Sequence, residues 1–192
     1  MRLAKREVTD TETLRAMIDA CKTVRLGLAD SGGIFIVPVN FGYTWNVPAQ
    51  GPHTPNGPAS MGMRPAAVAA CPAAAPHLTL WIHSATEGRK AAALAAAEAA
   101  ATPVAIEMDI EDGLIHGSYA CAYSYAYRSI MGTGIAHAVT SPSEKRRGLE
   151  RIMEHLAPGE EAAYAPEAIE RVAVWRIDVT AFTGKQRATK SA

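Results

Sequence analysis

Residues 83–90, His-Ser-Ala-Thr-Glu-Gly-Arg-Lys, place a histidine, two hydroxyls and two cations within a single short stretch. Just before them, His77-Leu-Thr-Leu-Trp-Ile-His83 alternates like a strand with one buried face. Ser84 stands three residues ahead of Glu87, the spacing of a capping box, and an alanine-rich stretch follows. That pattern predicts a helix over 86–100. A new helix end presents unpaired N–H groups and partial positive charge, which attract anions. Arg89 adds a planar fork and Lys90 a mobile point charge, both suited to a terminal phosphate. The same residues also fit a plainer arrangement, a strand-to-helix junction whose cations sit in water.

The remaining histidines argue against a metal. His77 lies six residues before His83 on one strand face, about 20 Å away at roughly 3.3 Å per residue, too far to share an ion. No H-E-x-x-H or two-histidine-carboxylate spacing occurs among His53, His77, His116, His137 and His155. A single histidine at a strand end is more often structural than an acid or base. No G-x-S-x-G elbow or P-loop is present. Gly132-Thr-Gly134-Ile-Ala-His137 approaches a dinucleotide fingerprint, but it falls between strand signals and ends in histidine.

The elements that must position this stretch are legible around it. Thr9 and Glu12 have capping-box spacing, and Leu14, Met17, Ile18 and Cys21 share one helical face, predicting a helix over 9–22. Strands are expected at 23–29 and 34–44 around the turn Asp30-Ser-Gly-Gly33, with Pro38 marking an edge or a local irregularity. Further strands are expected at 103–110, 119–128, 130–140 and 172–182, with a turn at Glu111-Asp112-Gly113. Tyr123, Tyr125 and Tyr127 share one strand face and suit a subunit interface. Ser141-Pro142-Ser143-Glu144 starts a helix whose buried face is Leu149, Ile152, Met153 and Leu156, and a short helix is expected near 166–171. Strands in excess of helices, with hairpin turns, predict a small antiparallel barrel with helical additions.

Composition bounds the partners. The chain has 192 residues, nineteen basic and nineteen acidic, so its net charge is zero and neither nucleic acid nor an acidic membrane is expected as main partner. Besides Arg89-Lys90, the basic cluster Lys145-Arg146-Arg147 is expected on a solvated helix face. Cys21, Cys71 and Cys121 are odd in number and widely spaced, which suits a reducing cytoplasm rather than a disulfide framework or zinc ribbon. No secretory signal or membrane-spanning run is apparent. Residues 46–76 carry seven prolines with little periodicity and predict a long loop, either a cover or an excursion.

His83-Ser-Ala-Thr-Glu-Gly-Arg-Lys90 resembles the segment after the third strand in the FMN-binding split-barrel proteins, the pyridoxamine 5'-phosphate oxidase-like family. It is most similar to their nitroimidazole-resistance (Nim) branch. The likeness continues through Val24–Gly27 with Ile36–Tyr43, through Tyr127–Gly134 with Glu144-Lys145, and through Thr183-Gly184-Lys185. It covers most of residues 1–45 and 77–186 in the family's order. The resemblance implies a mainly β fold: an FMN-binding split barrel, six-stranded and antiparallel, with peripheral helices. One domain over 1–186 would then carry a Pro/Gly/Ala-rich insertion at 46–76 and a polar tail at 187–192.

The resemblance also implies roles. Arg89 and Lys90 take the FMN phosphate, with Ser84, Ala85 and the helix N–H groups assisting. Val39, Asn40 and Phe41 lie along the ring through main-chain contacts, and His83 stands beside the isoalloxazine as the candidate catalytic residue. Ser129 and, more weakly, Arg128 reach the ring or ribityl chain. The oxidases build each flavin site from two subunits, which implies a homodimer. The implied activity is a flavin-dependent oxidoreductase passing electrons from a reduced donor to a small acceptor, with nitro compounds as the suggested class. Thr183-Gly-Lys-Gln186 replaces the oxidases' Arg-Leu-His ending, which argues against pyridoxamine phosphate oxidation. The alternatives are a non-catalytic flavin or haem carrier, with His83 or His137 on the iron, and a structural dimer without cofactor. FAD or a deazaflavin would present a phosphate to the same helix end.

Overall fold

Two residues, Asn40 and Phe41, carry the chain from one end of its sheet to the other, and that corner sets the architecture. The computed structural model describes residues 4–46 and 77–189. Its strands are β1 (Glu7–Val8), β2 (Val24–Asp30), β3 (Gly33–Val39), β4 (Gly42–Asn46), β5 (His77–Ser84), β6 (Val104–Ile115), β7 (Ser124–Val139) and β8 (Ala173–Arg187). The helices are α1 (Thr11–Ala20), α2 (Arg89–Ala99), α3 (Pro142–Leu156) and α4 (Pro166–Arg171). All pairings are antiparallel, in the order β3-β2-β6-β7-β8-β5-β4, with β1 added to β8. The two ends of that order are consecutive in sequence and separated by only two residues. The sheet must therefore curl round until its ends meet, which is a barrel.

The strand periods decide what the barrel encloses. Val24, Leu26 and Leu28 alternate inward on β2, as do Val104, Ile106 and Met108 on β6. α1 adds Leu14, Met17 and Ile18 to this core, and α2 adds Ala93 and Leu94. Gly184 lets α1 come close, because a Cβ there would run into the Leu14 side chain. α3 lies outside the barrel over a second, smaller core of Trp81, Val139, Ile152 and Val174. Among the described residues no helix is long and apolar enough to cross a membrane.

Several expectations give way to long-range pairing. The expected six strands are eight, because β4 separates from β3 at the Asn40-Phe41 corner and Glu7–Val8 pairs with β8. Residues 130–139 and the second half of 119–128 fuse into β7, since β6 pairs with it over 124–134 and β8 over 127–139; Ala120–Ala122 form a 3₁₀ turn instead. Glu111-Asp112-Gly113 is a bulge inside β6, with Gly113 at φ 114°, rather than a turn. β8 runs on to Arg187, beyond the expected end at 182 and into the polar tail, because Gln186 and Arg187 pair with Arg128 and Tyr127. The cap of α1 is Asp10, whose carboxylate accepts from the Thr13 backbone N–H at 2.8 Å, not Thr9. Lys145 is not simply solvated: its Nζ donates to the Val172 carbonyl at 2.9 Å, tying α3 to the end of α4. Pro38 lies on β3, an end strand as expected. The 46–76 segment, apart from Asn46, lies outside the described residues.

Two predictions follow from the α3 contact. A Cβ at Gly42 would fall onto the Arg151 and Ile152 backbone of α3, which cannot swing aside. Gly42→Ala should cost about 2–3 kcal/mol, read as a lower urea midpoint at unchanged m-value. His155, at the end of α3, is held below the usual imidazole range chiefly by burial. The unfolded chain therefore binds a proton that the folded chain refuses, and stability should fall as pH drops below about 6.5. A His155→Gln variant should show a shallower decline; an equal slope would assign the loss to other groups.

Candidate functional site

β5 and α2 meet as the sequence suggests, but the junction is built differently. α2 starts at Arg89, and its N-cap is Gly88 at φ 105° and ψ 170°, with no side-chain cap. Ser84 is not the capping residue. It is buried at the end of β5, where its hydroxyl donates to the Ala85 carbonyl at 2.7 Å and accepts from Trp175 Nε1 at 3.2 Å. Among the described residues the first amides of α2 thus have no side-chain acceptor, which is what an anion needs. Glycine is required at the cap because a side chain at positive φ is strained.

The two cations at this end are not equivalent. Arg89 grips Asp30 with Nε (2.6 Å) and Nη2 (3.0 Å), and its guanidinium lies 3.9 Å from the Phe35 ring centroid. The pair draws the β2–β3 hairpin tip against the start of α2, and it holds the Asp30 carboxyl below its usual range. That grip uses Nε and Nη2, leaving Nη1 outside it. Lys90 is half-buried, and desolvation lowers its ammonium below the usual lysine range. His83 is exposed at the surface, yet partial desolvation and then the charge of Lys90 depress it. His83, Ala85, Arg89 and Lys90 therefore cluster at one end of the barrel.

The Val39-Asn40-Phe41 corner can offer main chain only in part. Val39 and Phe41 point into the core, and Phe41 packs on His155 with ring centroids 4.6 Å apart. Asn40 is exposed, with its Nδ2 donating to the Lys22 carbonyl at 3.0 Å. The corner enters β4 just beyond the Gly42–Trp81 pair, at the end where β5 delivers His83 and Ser84. Among the described residues β3 pairs with β2 alone, so one of its edges has no ladder partner there.

Arg128 and Ser129 do not join this cluster within one chain. His83 pairs with Val174, which pairs with Val139, eleven residues along β7 from Arg128. That is roughly 36 Å of strand at 3.3 Å per residue. Arg128 is also occupied, held by Asp112 through two bonds of 2.9 and 2.8 Å. Ser129 faces outward opposite Asp109 and Lys185, on the same sheet face as Met131.

A family model described as pyridoxamine 5'-phosphate oxidase matches residues 10–186. The chain belongs to that family. Its members bind flavins, and the split-barrel expectation stands with the corrected strand count. The structure is similar to a candidate 5-nitroimidazole antibiotic resistance protein from Bacteroides thetaiotaomicron, with TM-score 0.67 and 25% identity over 94% of this chain and 86% of that one. It is also similar in fold to the flavocytochrome Anf3 from Azotobacter vinelandii (TM-score 0.67, 21% identity, 98% of this chain and 72% of that one). A FAD and heme binding protein from Mycobacterium smegmatis shares the fold as well (TM-score 0.69, 18% identity, 97% and 76%). Among proteins of curated function, none matches this sequence.

Within this family fold, sequence reasoning missed Asp30 and Phe35, the partners of Arg89, because neither lies near it in sequence. The Asp30 turn was legible; that it closes on α2 required the barrel. The environment of His83 is open to a direct check. Its pKa, followed by NMR titration, should lie below the usual imidazole value, and Lys90→Gln should raise it by removing the nearby positive charge. A value unmoved by that substitution would place Lys90 away from the ring.

Proposed function

We propose that this chain is an FMN-dependent oxidoreductase of the Nim type, working as a homodimer that reduces a small acceptor such as a nitroaromatic. The observation that carries the reading is the uncapped start of α2 beside Arg89, Lys90 and His83. The free amides and Lys90 would hold the phosphate, and Arg89 would reach it with Nη1 while Asp30 keeps its fork in place. Ser84 would act indirectly, locking the end of β5 through Trp175. The free edge of β3 would supply main-chain groups to the ring heteroatoms near Asn40. The flavin, when bound, supplies the hydride and electron chemistry. His83 would border the acceptor site with its imidazole kept neutral at pH 7.

Support for the second copy comes from the outer face of the sheet. Ile34 is 85% exposed, Ile36 66% and Met131 49%. These sit on one sheet face with Gly27 and Ala105, which together with Ile34 line a mostly apolar cleft beside α2. Ser129 lies on that face too. A second copy laid there would bring its Ser129 toward the first copy's α2, which one chain alone does not do. Arg128, already paired with Asp112, is the weaker contributor. The haem alternative with His137 as ligand is disfavoured, because its two nitrogens lie 3.8 Å from Glu98 and 3.5 Å from Asp178.

Arg89→Ala combined with Lys90→Ala should abolish flavin retention, measured by the visible absorbance of the purified protein, while size-exclusion chromatography still reports a dimer. A double variant that stays yellow with unchanged affinity would remove the phosphate assignment.

A further inference from the structure

A polar cleft of about 550 Å³ opens between α1, β4 and the last turn of α3. Its lining shares no residue with the α2 end, since Arg15, Lys22, Tyr43, Trp45, Arg151 and His155 form its walls. The volume is that of a small-molecule site. We propose that this cleft binds a small aromatic carboxylate, independently of the flavin.

The charge balance points to a monoanion. Three cations line the cleft against two carboxylates, Asp19 and Glu154. Both carboxylates are engaged: Glu154 with Arg151 Nη1 at 2.8 Å, and Asp19 as acceptor for the Tyr43 hydroxyl. Lys22 donates to the His155 carbonyl at 2.6 Å, a neutral partner that leaves its charge uncancelled. Arg15 is exposed on α1, and its guanidinium reaches the Tyr43 hydroxyl. The excess of one positive charge matches a carboxylate monoanion more closely than a phosphate dianion, which would meet about twice the repulsion from Asp19 and Glu154.

The walls are already organised. The Tyr43 hydroxyl is held by Asp19, with Arg15 nearby, and burial pushes its phenol up to about 12, so it stays protonated. His155 Nε2 donates to the Cys21 carbonyl at 2.6 Å, and burial keeps the ring neutral. That bond fixes the tautomer and leaves Nδ1 as a hydrogen-bond acceptor. Tyr43 meets the imidazole edge-on at 5.4 Å, and Trp45 continues the aromatic surface along β4. A flat ring can lie on this wall with its carboxylate toward Arg15 and Lys22.

Benzoate is the probe, titrated calorimetrically into the full-length protein at neutral pH, with benzamide and inorganic phosphate as comparisons. Benzoate should bind saturably, benzamide should bind at least about tenfold more weakly, and phosphate should fail to displace benzoate. Arg15→Gln, an exposed change on α1, should weaken benzoate by about tenfold or more with an unchanged circular dichroism spectrum. The Arg89→Ala, Lys90→Ala double variant should bind benzoate normally, which separates this site from the flavin reading. No saturable heat up to about 10 mM benzoate, equal binding of benzamide, or full affinity in Arg15→Gln would each overturn the proposal.

Discussion

Closure of the sheet by a two-residue corner is the constraint on which the rest of this molecule depends. β3 and β4 are the ends of the strand order, yet Asn40 and Phe41 alone join them. A chain that short spans only several ångströms, so the intervening strands have no choice but to curve. Phe41 anchors the corner by being fully buried against His155, while His155 is itself held by Cys21 and Lys22. The corner, the end of α1 and the end of α3 thus form one interlocked unit. Loosening it would open the barrel and separate the ends of β3 and β5.

Everything proposed for the site is downstream of that closure. It fixes where β5 ends, and Ser84 then turns the chain away through its bonds to Ala85 and Trp175. Gly88 starts α2 without a side-chain cap, and Asp30 reaches across from the β2–β3 hairpin to steady Arg89. The proposed anion site therefore rests on a backbone that the barrel places and on a cation that a distant hairpin orients. The charges near the surface contribute little to stability. Their value lies in geometry.

Much of this was legible in the residues, for identifiable reasons. The period of two in His77–His83 and the apolar faces of α1 and α3 are local signals, and each element formed close to where it was read. Pro38 reported an edge strand correctly, because a missing N–H is a local fact with a topological consequence. Where the reading failed, the competing force came from far along the chain. Neighbouring strands extended β8 through a polar segment and fused β7 across Ser129. Ser84 had the spacing of a cap, but the buried indole of Trp175, ninety-one residues away, claimed its hydroxyl. Lys145 seemed to belong to water until α4 offered it carbonyls.

Alone, the order of residues determined the chemical kinds available: a basic pair at a helix start, a histidine at a strand end, and a mainly antiparallel β chain with few helices. These depend on side-chain type and short spacing, which sequence records directly. Tertiary structure alone decided which of those groups meet. It set His83 beside Lys90, spent part of Arg89 on Asp30, moved Ser84 into the core, and left Arg128 and Ser129 at the far end of β7. Such choices turn on strand register and sheet closure, interactions between residues tens of positions apart, and no local pattern carries that information.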